Sequence, residues 1–334
     1  MGLNEKFFKT IADTPLVPSE NFTIRLYTGN GSTQVMTNLG FQPDMVWLKS
    51  RSAQFPPYIT DVARGTGNVL RSSEKDAESS GDGVSSFDSN GFKVSGGGSN
   101  QNNGSYVSWC WKGGGSTSSN SNGSITSQVS ANPAAGFSIV KWSGNSTAGA
   151  TIGHGLNAAP ELFITKNIGS TSLNWATYNV TIGNQKRLTV NETNPIASSN
   201  RIEWNSTTPT DSVVTLGDHP CVNSTNNNYI GYAFTSIADY QDVGTYNGDN
   251  GTDRLINTGF AVRFVMIKRT NATSNWQVFD TQRGGNAQLD WNDISTEYTG
   301  GGTRVEFVSN GFKLKSNYVT YNETGGIYIY LAIA

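Results

Sequence analysis

The sequence predicts an all-β protein: three tandem antiparallel β-sandwich domains of similar fold, preceded by a short N-terminal arm. Three observations carry this. A seven-residue stretch with period-two alternation occurs three times, ending at residues 112, 235 and 334. Short runs rich in β-branched and aromatic residues alternate with Gly, Asn and Ser turn signals every ten or so residues, the pattern of sandwiches. No stretch shows capped helical periodicity; the best, 73–80, is short and polar.

The repeated stretch fixes the reading. Its copies begin at Tyr106, Tyr229 and Tyr328. One face carries Val107, Trp109 and Trp111; then Ile230, Tyr232 and Phe234; then Ile329, Leu331 and Ile333. The other face opens on Tyr and ends small, on Cys110, Ala233 or Ala332. Alternate side chains of a strand point to opposite faces, so each copy has a bulky face and a tight face, both suited to burial. Cys110 aligns with alanines and reads as a small core residue.

A chain of 334 residues suits two or three domains, and each third, at roughly 100 residues, can bury its own core. Residues 1–21 belong to no repeat. Pro15 and Pro18 favour an extended arm, and its apolar Leu3, Phe7, Phe8 and Ile11 suit either a strap on the first domain or a docking arm. Repeat one spans 22–112. It has an Asn30-Gly31 hairpin signal, then the strand Met45-Val46-Trp47-Leu48-Lys49, then a hairpin at Asn90-Gly91. Residues 113–136, rich in Gly, Ser and Asn, read as a flexible linker that Ile125 and Val129 pin in part. Repeat two spans 137–240, with Trp142-Ser143-Gly144-Asn145 matching Tyr27-Thr28-Gly29-Asn30 and a strand ending at Lys166. Repeat three spans 241–334, with its turn at 246–249, its strand ending at Lys268, and Asn310-Gly311-Phe312 echoing Asn90-Gly91-Phe92. The turn recurs after about 115 and then about 104 residues, a spacing of whole domains rather than of solenoid units.

Charge and motifs narrow the function. With 23 Lys and Arg against 25 Asp and Glu, no basic field awaits nucleic acid. No apolar run is long enough to span a membrane and the start lacks a signal core, so no membrane insertion is expected. Two cysteines make no disulfide framework, and Cys221 reads as incidental in a polar loop. His154 and His219 read as exposed loop histidines. No nucleophile elbow, zinc-binding helix, CxxC pair or phosphate loop is present. Glu161, Glu203, Asp218, Asp280, Asp290, Asp293 and Glu306 show no paired spacing. Residues 249–253 resemble part of a calcium loop, but their counterpart at 30–33 is an ordinary hairpin turn, so no metal is expected. No cofactor and no enzyme activity are expected.

Aromatic rings remain as candidates for ligand contact, since a flat ring packs on sugar C–H groups at small entropic cost. Trp175 and Trp276 recur after the apolar strand; they either pack internally or face a ligand. Trp291, Tyr298, Tyr318 and Tyr321 are unrepeated, and are expected on an exposed contact surface.

The repeat resembles one common in structural proteins of tailed bacteriophages, marine and cyanobacterial ones in particular. The likeness rests on 26–32, on Gly40-Phe41-Gln42-Pro43-Asp44 with the strand to Lys49, on 86–92, and on the closing stretch at 106–112. The opening eight residues resemble short virion proteins of the same kind. Repeats two and three depart at the turn, where Pro43 becomes Pro160 after a one-residue shift, or Ala261-Val262. The resemblance implies a virion appendage such as a tail fibre, assembled in the host cytoplasm. Its arm would dock on other virion proteins and its distal unit would face a host surface glycan or protein. It also implies a homo-oligomer, a trimer. A purely structural head-decoration or tail-scaffold protein and a polysaccharide depolymerase stand as alternatives.

Overall fold

The closing stretch is the middle strand of its sheet in every repeat, which explains why both its faces are buried. The computed structural model describes residues 16–196 and 202–334; Leu3, Phe7, Phe8 and Ile11 lie outside them. In repeat one, Ser105–Trp111 lies between Phe22–Thr28 and Met45–Ser50, antiparallel to both, with Trp111 opposite Phe22 on one side and Met45 on the other. Asn228–Phe234 lies likewise between Phe137–Ser143 and Leu162–Asn167. Ile327–Ile333 lies between Gln241–Asn247 and Phe264–Arg269.

Each large sheet faces a small one. The small sheets are built from Gln34–Thr37, Gly91–Val94 and Val84–Asp88 in repeat one. Ala150–Gly153 pairs with Val213–Leu216 in repeat two. Arg254–Asn257, Gly311–Leu314 and Val305–Val308 serve in repeat three. The all-β sandwich character expected from the alternation is therefore present. The tight face packs inside each sandwich: Cys110 lies among Met36, Val46, Phe92 and Val94, and Ala233 among Ile152, Phe163 and Val214. Burial pushes the Cys110 thiol up to about 12, as befits a packing residue rather than a reactive one.

The bulky face points out of its own sandwich. Trp47, Trp109 and Trp111 of repeat one, Phe137, Tyr232 and Phe234 of repeat two, and Phe264, Leu331 and Ile333 of repeat three join one continuous core. Trp111 lies 6.2 Å from Phe137, 6.3 Å from Phe234 and 5.9 Å from Phe264, ring centroid to centroid. The large sheets are thus covered on both sides, and their strands 45–50, 162–167 and 264–269 are buried throughout. The repeats share a core in addition to any they keep for themselves.

Polar groups close the repeats into a ring. Lys49, Lys166 and Lys268, at matching strand positions, are fully buried. Each ammonium donates to a backbone carbonyl of the repeat before it: Lys166 to Lys75 at 3.0 Å, Lys268 to Thr193 at 2.9 Å, and Lys49 of repeat one to Ile294 of repeat three at 3.0 Å. Burial lowers Lys49 and Lys166 to about 8 and Lys268 to about 7. A second set of bridges runs the same way round. The Tyr232 hydroxyl donates to Asp61 at 2.8 Å and the Trp109 indole to Asp280 at 3.0 Å. Each aspartate also holds an arginine three residues on, Arg64 or Arg283, at 2.6 Å. Leu331, the counterpart of Trp109 and Tyr232, has no donor. Repeat two, the one it would reach, carries Asn179 and Ile182 in place of the aspartate and arginine. A buried carboxylate without its donors is costly, so donor, acid and base are lost together.

The stretch 113–136, expected to be a flexible linker, contains strands. Ser127–Asn132 pairs with Phe137–Ser143, and Ser118–Asn120 pairs with Ser127–Asn132, extending the large sheet of repeat two. Val129, opposite Val140, is buried in that sandwich. The Asp44 carboxylate accepts from the Gly113 and Gly115 amides at 2.8 and 3.0 Å, tying the start of the stretch to repeat one. The extended reading of the arm is checked only at its end, where Pro18–Glu20 forms a turn of 3-10 helix and Leu16 packs on the shared core.

Candidate functional site

Four aromatic side chains, Trp291, Tyr298, Tyr318 and Tyr321, are expected on a contact surface and two, Trp175 and Trp276, either there or inside; the structure divides them. Trp175, Trp276, Trp291 and Tyr321 are buried, whereas Tyr298 and Tyr318 are 51% and 47% exposed. Trp175 and Trp276 pack inward and reach the preceding repeat. The Trp175 indole donates to Arg71 and Glu74 carbonyls at 3.3 and 3.2 Å, and the Trp276 indole to Thr189 at 3.0 Å. Trp291 stacks on Trp47 at 3.6 Å and meets Trp109, Trp111 and Phe264. Its counterparts in the other repeats are Ser72 and Val190, both smaller, and the Ser72 hydroxyl donates to the Trp291 carbonyl at 2.5 Å. It is unrepeated because one large ring fills space to which the other repeats bring small side chains. That is the reason its expected exposure fails.

The two exposed tyrosines come together around an arginine that the sequence did not single out. The loop carrying Tyr298 is held by a backbone pair with Gln288, at 2.9 and 3.0 Å, and by Glu297, which accepts from Arg51 of repeat one at 2.6 Å. Gly301 and Gly302, with φ of +83° and +85°, turn the chain back through left-handed conformations that glycine adopts without strain. Arg304 follows, only 2% exposed. Its guanidinium carbon sits 4.3 Å from the Tyr298 ring centre and 5.6 Å from that of Tyr318. Its nitrogens donate to the Asn286 and Gly300 carbonyls at 2.7 and 2.5 Å.

Tyr318 in turn stacks on buried Tyr321, with centroids 5.9 Å apart and planes 19° from parallel. Tyr321 is anchored by Phe279, edge-on at 6.0 Å, by Ser316, and by the Tyr246 hydroxyl, which donates to its carbonyl at 2.6 Å. Burial raises the Tyr321 hydroxyl above its ordinary value, so it stays protonated. The cation thus backs both exposed rings, and a buried ring backs one. The rings are fixed in place, with their remaining surface in solvent. Such a platform suits ring-face packing against an apolar or C–H-rich surface.

The groups weighed for catalysis fall elsewhere. His154 is buried rather than exposed: its Nε2 lies 3.1 Å from the Thr210 carbonyl and its Nδ1 accepts from the Leu156 amide at 3.2 Å. Burial lowers its pKa. His219 is half-buried beside Glu203. Cys221 is buried, not loose in a polar loop, and Arg187 approaches its sulfur at 3.7 Å. Asp249 caps its own turn through the Gly251 amide at 2.8 Å and pairs with Arg254 at 2.6 Å, a structural role for the residue that suggested a calcium loop. Among the described residues no group of three or more His, Cys, Asp and Glu side chains is arranged to hold a metal.

Arg304 carried no sequence signal beyond its place after three glycines. The buried lysines did carry one, an ionisable residue recurring at the end of an apolar strand.

No curated protein matches this chain. No solved structure matches it either. A family model described as a domain of unknown function matches residues 17–334, the three repeats together, and the chain belongs to that family, DUF7483.

Proposed function

We propose that this chain is a binding protein rather than an enzyme, carried on a bacteriophage particle. In this reading its third repeat contacts a glycan of the host surface through Tyr298 and Tyr318. The observation that supports it is the pair of half-exposed rings fixed around buried Arg304. The virion origin rests on the resemblance of the repeats to tailed-phage structural proteins. The ring of repeats already supplies three sandwiches from one chain, and we take the single chain as the working unit. Light scattering checks this: 35.9 kDa is expected, and three times that mass would restore the trimer of chains implied by the resemblance.

The direct test is binding of the purified protein to host envelope polysaccharide by biolayer interferometry. Loss of two stacking rings, at about 1 kcal/mol each, should weaken binding about tenfold or more in Tyr298→Ala/Tyr318→Ala, with the melting temperature kept. Binding that ignores both substitutions, or none to host cells or polysaccharide, would sink the proposal. In the latter case a purely structural virion role gains. Release of oligosaccharide on incubation would instead make the chain a depolymerase.

A further inference from the structure

A second surface, apart from the tyrosines, appears when the three junctions of the ring are compared. The loops that accept the buried lysines correspond residue for residue: Lys75, Thr193 and Ile294 each offer the carbonyl. Asn191 and Asn292 correspond too. Each accepts the backbone amide of the tryptophan sixteen residues before it, at 2.9 and 2.8 Å, and each donates to the preceding asparagine at 2.9 Å. Glu192 and Asp293 follow them and are therefore counterparts.

At the junction of repeats one and two, Lys75 sends its ammonium to Glu192, 3.5 Å away. At the junction of repeats two and three, Thr193 stands where Lys75 stood and Asp293 where Glu192 stood. Beside that short side chain lies an open cleft of about 370 Å³, lined by Asn191, Glu192, Thr193, Asn194, Asn275, Asn292 and Asp293. That lies in the range of small-ligand pockets, roughly 300–1,000 Å³. The cleft's Glu192 is already engaged by the Lys75 ammonium and by the Asn174 and Asn194 amides, which leaves Asp293 as the unpaired carboxylate. Asp293 accepts from the Ser295 amide at 3.0 Å and has no ion pair among the described residues. Lys49, which acts on Asp293 through space, spends its own donors on the Phe55 and Ile294 carbonyls. The amide walls are already locked by the hydrogen bonds above, so little ordering is left for a ligand to bring about.

We propose that this cleft binds a primary ammonium group, as carried by an amino sugar or a lysine side chain. The ligand's ammonium takes the place that Lys75 fills one junction earlier. The corresponding carboxylate holding an ammonium in another repeat is what points to the ligand; the cleft's acidity alone is not. The proposal does not depend on the tyrosine platform, and Tyr298→Ala/Tyr318→Ala leaves it intact.

Calorimetric titration of the full chain tests it, with glucosamine, N-acetylglucosamine, Nα-acetyl-lysine amide and calcium chloride as separate probes. Glucosamine or the lysine derivative should bind, and whichever binds more tightly identifies the source. N-acetylglucosamine should bind at least about tenfold more weakly. Asp293→Asn should weaken amine binding about tenfold, and Thr193→Lys should abolish it by supplying an internal ammonium, with an unchanged circular dichroism spectrum and a raised melting temperature. The proposal is overturned by equal affinity for glucosamine and its N-acetyl form, by no amine binding, by calcium binding alone, or by indifference to both substitutions in folded protein.

Discussion

Replacing Trp291 with alanine should destabilise all three repeats together, not the third alone. The side chain is 1% exposed, stacks on Trp47 of repeat one at 3.6 Å, and touches Trp109, Trp111 and Phe264. Its neighbours belong to two repeats, and one of them, Trp111, packs on Phe137 and Phe234 of the remaining one. Truncating a buried tryptophan costs about 3–5 kcal/mol, counting lost transfer energy and the cavity left behind. A net stability on the order of 5–15 kcal/mol makes that a large fraction. The assay is urea unfolding followed by far-UV circular dichroism. The natural comparison is Trp204→Ala, which removes a tryptophan of similar burial from the core private to repeat two. A shared core predicts one transition, moved to lower urea as a whole. If Trp291→Ala costs under about 1 kcal/mol, or leaves a second transition at the original midpoint, the repeats unfold independently and the reasoning fails.

Asp280→Ala should cost about 2–4 kcal/mol, because it leaves the buried Trp109 indole without its acceptor and the buried Arg283 guanidinium with Glu297, at 3.2 Å, as its remaining carboxylate; chemical denaturation measures it, and a cost under about 1 kcal/mol would mean the cross-repeat bridge is idle. Lys268 carries a pKa lowered by burial to about 7, against 10.5 when unfolded. Between those values the unfolded chain binds more protons at this site, so its contribution to stability rises with pH and is lost below pH 7. Compared with Lys268→Met, the wild-type chain should gain on the order of 3 kcal/mol between pH 7 and pH 10. A difference that stays flat or falls over that window would show that the ammonium keeps its proton in the folded state.

The closing strand made much of the fold legible. Its alternation named two buried faces correctly, and aligning Cys110 with Ala233 and Ala332 identified the tight one. What alternation cannot name is the partner of each face. A period of two places Trp109 and Tyr232 opposite the tight side without saying that they meet aspartates of another repeat. The 113–136 stretch was misread for a related reason. Serine and asparagine favour turns locally, yet a strand at the edge of a sheet needs only backbone partners and a few inward residues such as Val129. Repetition misled at Trp291, where uniqueness came from sharing a crowded interior rather than from facing solvent. The same reasoning gave the right exposure for Tyr298 and Tyr318, which lie on two loops outside that interior.

The ring also bears on valency. An assembly of three identical chains carries every surface feature three times, and any substitution appears at all three places. Here Ser72, Val190 and Trp291 occupy one position in three forms, and so do Lys75, Thr193 and Ile294. Among the described residues each chain accordingly bears a single copy of the tyrosine platform and a single copy of the cleft lined by Thr193 and Asp293. If the platform and the cleft bind as proposed, multivalent attachment must come from the number of chains displayed and their spacing, and avidity will scale with copy number rather than with the threefold repetition inside each copy.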